Sequence, residues 1–195
     1  MPSRRWEPMG HRDGGAVAVE TAMVSMLLVI LLFGIIESSF LFKDWLSVSA
    51  AVRAGARMGS SEPRTSLIPD LPRAFADDSA DQVTNAISGL APANIQEVWV
   101  YKAIYATGLP TSGSGCTADC VKYNWPTGAT KLTYLSGSWP ASSQNACAGD
   151  INRDALGVYV SYKHSGMGFF FKNAIVSEST VMWIEPLSSS GICKP

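Results

Sequence analysis

One segment constrains this chain above all others. From Ala16 to Ile36 the sequence runs AVAVETAMVSMLLVILLFGII, about twenty residues and long enough to cross a hydrocarbon core as a helix. Inside that run sits a single carboxylate, Glu20. Burying it in lipid costs roughly 2.5–3.5 kcal/mol even on lenient insertion scales, so an acidic residue here has a partner or a task. A plain signal anchor, with Glu20 snorkelling to the headgroups, is the simpler reading.

The flanks set the expected orientation. Arg4, Arg5 and Arg12 precede the span, whereas Lys43 follows it beside Glu37 and Asp44. The excess of positive charge on the short side places residues 1–15 in the cytoplasm and everything after about residue 40 outside. Glu7 and Pro8 follow Arg4-Arg5 where a twin-arginine signal wants apolar residues. Small-residue cleavage candidates around Ser47 to Ala51 lie too far past the apolar core for a removable secretory signal. The chain therefore reads as a single-pass protein with an extracytoplasmic C-terminal domain.

Three stretches carry a family resemblance. Gly15 is followed by an apolar stretch with Glu20 at its fifth position, Gly34-Ile-Ile-Glu37 closes the Leu-rich run, and Ala51-Val-Arg53-Ala-Gly55-Ala-Arg57 follows. With Val19-Glu20 they resemble, in order, the N-terminal signature of the TadE-like family, the pseudopilins or minor pilins of tight-adherence (Flp-type) pilus systems. Val52 stands where Ala is usual, and Thr21 where processed members often carry an aromatic. The resemblance covers residues 14 to 59, and only Ser179 to Pro186 looks familial beyond it. It implies a bacterial cell-membrane protein cut between Gly15 and Ala16 by a prepilin peptidase, with Glu20 neutralising the new amino terminus. It further implies pilus-assembly membrane proteins and other pilins as partners, besides the lipid bilayer. The family motif maps onto Val19, Glu20, Gly34, Glu37, Arg53, Gly55 and Arg57.

The periodicity carries the helix beyond the membrane. Leu41, Trp45, Val48, Val52 and Ala56 share a stripe, with Lys43, Ser47 and Arg57 opposite. Nothing interrupts before Gly59-Ser60-Ser61 and Pro63. A helix from Ala16 to Gly59 spans about 65 Å at 1.5 Å per residue, half in lipid and half as spine of the outer domain. The small residues around Gly55 read as a packing surface. A breaker cluster from Glu62 to Pro72 precedes a second amphipathic helix, with Pro72 in its first turn, whose face is Phe75, Val83, Ala86, Ile87 and Leu90. Asp77, Asp78 and Asp81 form its solvated side.

Three strands follow from composition and alternation: Ile95 to Tyr105, apolar on both faces and so central; Leu156 to Lys163, half-buried; and Ser179 to Glu185. Between the first two lies Gly108 to Asp150, where Lys122–Trp125 and Lys131–Leu135 are spaced for a hairpin. Trp125 and Trp139 there cover the sheet's second face or stand exposed for adhesion. Phe169-Phe170-Phe171 is either a buried turn or helix or an exposed apolar contact. The predicted architecture is α+β and pilin-like: a 1–15 leader, a 16–37 transmembrane helix, its 38–61 continuation and a 62–195 head with its loop region at 108–150.

The remaining chemistry is sparse. Cys116, Cys120, Cys147 and Cys193 form an even set outside the cell, which favours two disulfides with the pairing open. With His11 in the leader and His164 in a strand, no zinc spacing exists. Asp150, Asn152 and Asp154 copy the first ligands of a calcium loop, but Ala155 replaces its Gly and Ser161 its Glu. An Asx-type turn is the better reading. HExxH, GxSxG and P-loop motifs are missing from the sequence, so no catalytic residue is assigned, no enzyme is expected and no cofactor is implied. With 15 basic and 16 acidic residues there is no excess of positive charge to bind nucleic acid. Two function classes stand: a minor pilin or pseudopilin in a tight-adherence pilus, adhesion or secretion apparatus, and a membrane-tethered binding domain for glycan or envelope polymer.

Overall fold

The computed structural model describes residues 14–61, 74–87, 89–113, 115–140, 143–147, 150–166 and 170–186. Residues 1–13 of the leader, the breaker cluster with Pro72, Phe169 and Cys193 lie outside them. Helix α1, Gly14–Ser61, is one unbroken element of 48 residues, about 72 Å long. It has two different environments. From Gly15 to Phe33 every side chain is exposed, whereas Val48, Ala51, Val52 and Ala56 are buried almost completely.

Helix α2, Ala74–Ala86, lies against the outer half of α1, and Phe75, Val83, Ile87 and Leu90 enter the core as their spacing predicts. Gly55 is where the helices touch. A Cβ built on it would sit 2.5 Å from Val83 Cγ2 and 3.1 Å from the Ser79 carbonyl oxygen. Ser79 Oγ donates to the Gly55 carbonyl oxygen at 2.8 Å, a bond possible only at this approach.

After a single 3-10 turn, Pro92–Asn94, five strands form one antiparallel sheet: β1 Ile95–Ala103, β2 Cys120–Asn124, β3 Thr133–Ser138, β4 Ala155–Lys163 and β5 Ile175–Trp183. Their order is β3-β2-β1-β4-β5, so β1 is central, as its two-sided apolar pattern requires. The expected hairpin is the β2–β3 pair, with Lys122 facing Ser136. Val98, Val100, Leu156, Val158 and Val160 face the helices and form the main core with α1 and α2. The fold is α+β, with the outer half of α1 as its spine.

Four expectations change. Strand β5 begins at Ile175, earlier than Ser179, because it pairs along all of β4. Strand β4 is buried on both faces: Tyr101 covers Gly157, where a Cβ would lie 2.4 Å from Tyr101 Cζ. Trp125 and Trp139 cover the helix-facing core and not the second face, with Trp139 fully buried edge-on to Phe75. The acidic side of α2 is engaged: Tyr123 Oη donates to Asp77 at 2.7 Å and Lys131 pairs with Asp81 at 3.2 Å, tying α2 to the hairpin. Asp78, partly buried, makes no such tie, and burial together with Asp81 and Asp77 holds its carboxyl above the usual range.

Candidate functional site: the junction of helix and head

Glu37 is 1% exposed, although it follows a membrane-length apolar run. A buried carboxylate needs donors for its lone pairs. The loop between β4 and β5 supplies them: the backbone N–H of Phe170 donates to Glu37 Oε2 at 2.8 Å and that of Phe171 to Oε1 at 3.3 Å. The Gly34-Ile-Ile-Glu37 motif therefore acts as a socket. Its Glu receives the loop backbone, and the Phe170 ring lies 3.8 Å from the Cβ position of Gly34.

Two further polar contacts continue the seam up the same face. Asp44, two turns on, holds the buried His164, whose Nδ1 lies 2.7 Å from Asp44 Oδ2 in the geometry of a hydrogen bond donated by the ring. His164, expected in a strand, follows directly on the end of β4, and its backbone N–H donates to the Ala174 oxygen at 2.8 Å. Trp45 Nε1 donates to Glu178 on β5. Gly166 fits between: a Cβ there would lie 2.8 Å from Glu37 Oε1 and 2.9 Å from His164 Nε2. Leu41, between Glu37 and Asp44, is partly buried and packs against the main core. Sequence reasoning selected Glu37 only as a motif residue and missed Asp44, His164 and Glu178. A usable signal was present: Glu37 and Asp44 fall on the apolar stripe of Leu41 and Val48, where an unpaired charge would be costly.

The other motif residues divide by position. Val19 and Glu20 are exposed on the free half of α1, as are Gly15 and Ala16. Arg53 and Arg57 are exposed on the outer half, with Arg53 Nη2 donating to Ser49 Oγ at 2.7 Å. Gly55 is the α1–α2 contact described above. The motif is thus not one cluster but a distribution along α1, part turned to the surroundings and part turned to the head.

The remaining candidates lie away from this seam. Cys116 and Cys120 are joined in a disulfide, under the second face of the sheet with Tyr101 and Ala155. Asp150 makes the expected Asx turn, accepting from Asn152 N at 2.8 Å, and a second bond from Asn145 Nδ2 at 2.7 Å. Those two donors, Asn145 first, hold the Asp150 carboxyl below the usual range. Asp154 accepts from Asn145 N at 2.8 Å and pairs with Lys102 at 2.9 Å. Both carboxylates of the calcium candidate are thus taken by protein donors. Among the described residues no group of three or more His, Cys, Asp or Glu side chains is placed to hold a metal.

Among the described residues one helix is long and apolar enough to cross a membrane, and it continues unbroken into the spine of an α+β head, the arrangement of a single-pass membrane protein. Within it, the family model described as TadE-like protein matches residues 15–57, entirely inside α1. The match takes in both halves of the helix and every motif residue named above, as the resemblance of that segment implied. No curated protein and no solved structure matches the chain at a significant level.

Proposed function

We propose that this chain is a non-catalytic subunit, a minor pilin or pseudopilin, of a tight-adherence pilus or of the membrane apparatus that assembles it. One observation carries the reading. The segment that matches the TadE-like family is a helix whose first half is left bare, with Glu20 in its apolar surface and none of it covered by the head. A carboxylate fixed at that place suits contact with another chain or with a processed amino terminus better than contact with lipid. The leader faces the cytoplasm, the head lies outside, and a prepilin peptidase cuts between Gly15 and Ala16. The mass of the mature protein from its native membrane tests this. Loss of residues 1–15, blocked by Gly15→Asp, is expected; a mature chain that keeps them reduces the protein to a plain signal anchor.

A second reading, a tethered domain that binds glycan, is favoured by the second face of the sheet. Trp99 and Tyr159 lie 4.6 Å apart there, with Lys122 Nζ 5.4 Å from the Trp99 ring. Trp99→Ala separates the readings: lost polymer binding with normal piliation supports the tethered domain.

A further inference from the structure

Phe170 and Phe171, between β4 and β5, reach α1 below the point where the buried core begins. Phe170 packs at Gly34, which lies within the apolar run, about 3 Å inside the level of Ile36 at 1.5 Å rise per residue. Phe170 is nevertheless 55% exposed. Its backbone N–H caps the one carboxylate, Glu37, that would otherwise end the apolar surface of α1. With Glu37 buried, that surface continues through Phe40 and Phe42, both about half exposed, to Lys43. Between Phe170 and α1 runs an open groove of about 820 Å³ lined by Leu31, Gly34, Ile35, Phe42 and Phe171 together with Ser38 and Ser39, whose hydroxyls donate back to the Gly34 and Ile35 carbonyl oxygens. Lys172, beside Phe170, is exposed like Lys43.

The geometry points to a second membrane contact: the Phe170 loop docks the head onto the outer leaflet, its ring and the groove taking acyl chains while Lys43 and Lys172 face lipid phosphates. This rests on α1 spanning the bilayer. Three features choose lipid over a protein occupant. The groove is continuous with the bare half of the helix, so lipid around that half reaches it without a break. The level of Phe170 is the edge of the hydrocarbon, and the interfacial layer extends only about 5–7 Å beyond it. A Phe ring seats at the acyl boundary, and flanking lysines can lay their apolar stems along it while their ammonium groups reach the lipid phosphates. The head would then be held at a fixed tilt by two points, α1 and the loop, instead of swinging on a single stalk.

Photo-crosslinking of the full chain in phospholipid nanodiscs tests this, with benzoylphenylalanine placed in turn at Phe170, at Leu28 on the bare helix and at Ile151 at the far end of the head. The expected result is lipid adducts at 28 and 170 and none at 151. Lipid at 28 without lipid at 170 overturns the docking and leaves the span intact; adducts from 170 only to a second copy or another protein do the same. No lipid at either position overturns the span itself. A second measurement guards against a misfolded variant. Phe170→Trp in nanodiscs of brominated lipid should add quenched emission, and Ile151→Trp emission that is not quenched. Equal, unquenched emission from both would also overturn the docking.

Discussion

The two halves of α1 belong to one continuous helix and yet obey opposite rules. The inner half, Gly15 to Phe33, is apolar all round but for Glu20, Thr21 and Ser25, and buries nothing. The outer half is apolar on one stripe only and buries that stripe under α2, β4 and β5. A helix that is hydrophobic all round is stable only in lipid or against other chains, whereas a one-sided helix specifies its own fold. Changes in the inner half should therefore alter where the protein sits and what it joins. Changes in the outer half should alter whether the head folds.

The largest expected effect is a charge in the spine. Val52→Asp places a carboxylate at a site with 1% exposure inside the hydrophobic core, and the head should unfold. Leu28→Ser should leave its melting temperature unchanged. Equal melting of the two variants would break the division. Next comes Gly55→Ala, whose methyl meets Val83 and the Ser79 carbonyl; about 1–3 kcal/mol should be lost in chemical denaturation. The same change at Gly15, where nothing lies within 4 Å, should cost the head nothing.

Removing the Cys116–Cys120 bridge should cost about 2 kcal/mol, the chain-entropy value for so short a loop. Under an extracytoplasmic head all four thiols should be blocked in native protein, and alkylation before and after reduction counts them. Four free thiols would contradict the orientation. The smallest effect is at Asp78. Its raised pKa means that the folded state holds the proton more tightly than the unfolded chain. Ionisation therefore weakens the fold as pH rises from the unfolded value through the folded one. Asp78→Asn should raise the melting temperature slightly at neutral pH, and the gain should fade in acid. A gain that grows in acid would reverse the sign of the argument.

Periodicity carried most of the fold. The spine stripe, the α2 face, the centrality of β1 and the β2–β3 hairpin were all legible because each is a local pattern with a period of its own. The seam was not, since it is made by pairs distant in sequence: Glu37 with Phe170, Asp44 with His164, Trp45 with Glu178. No local rule says that a carboxylate on α1 will find the backbone of a loop 133 residues away. What sequence offered was the anomaly itself, acidic residues on an apolar stripe. The misplaced Trp139 and the engaged Asp77 have the same origin. Amphipathicity says which face is polar, and not that a tyrosine from a hairpin will reach it.

The division of α1 is tested most directly by a pair of variants read in two assays. In Glu20→Leu the head should melt as in the wild type and membrane insertion should be slightly easier, while incorporation into the pilus or its assembly complex is lost. In Glu37→Leu, which leaves the N–H groups of Phe170 and Phe171 without their acceptor, the head should lose about 1–3 kcal/mol or more. Glu20→Leu protein that assembles normally, or a Glu37→Leu head as stable as the wild type, would contradict the account.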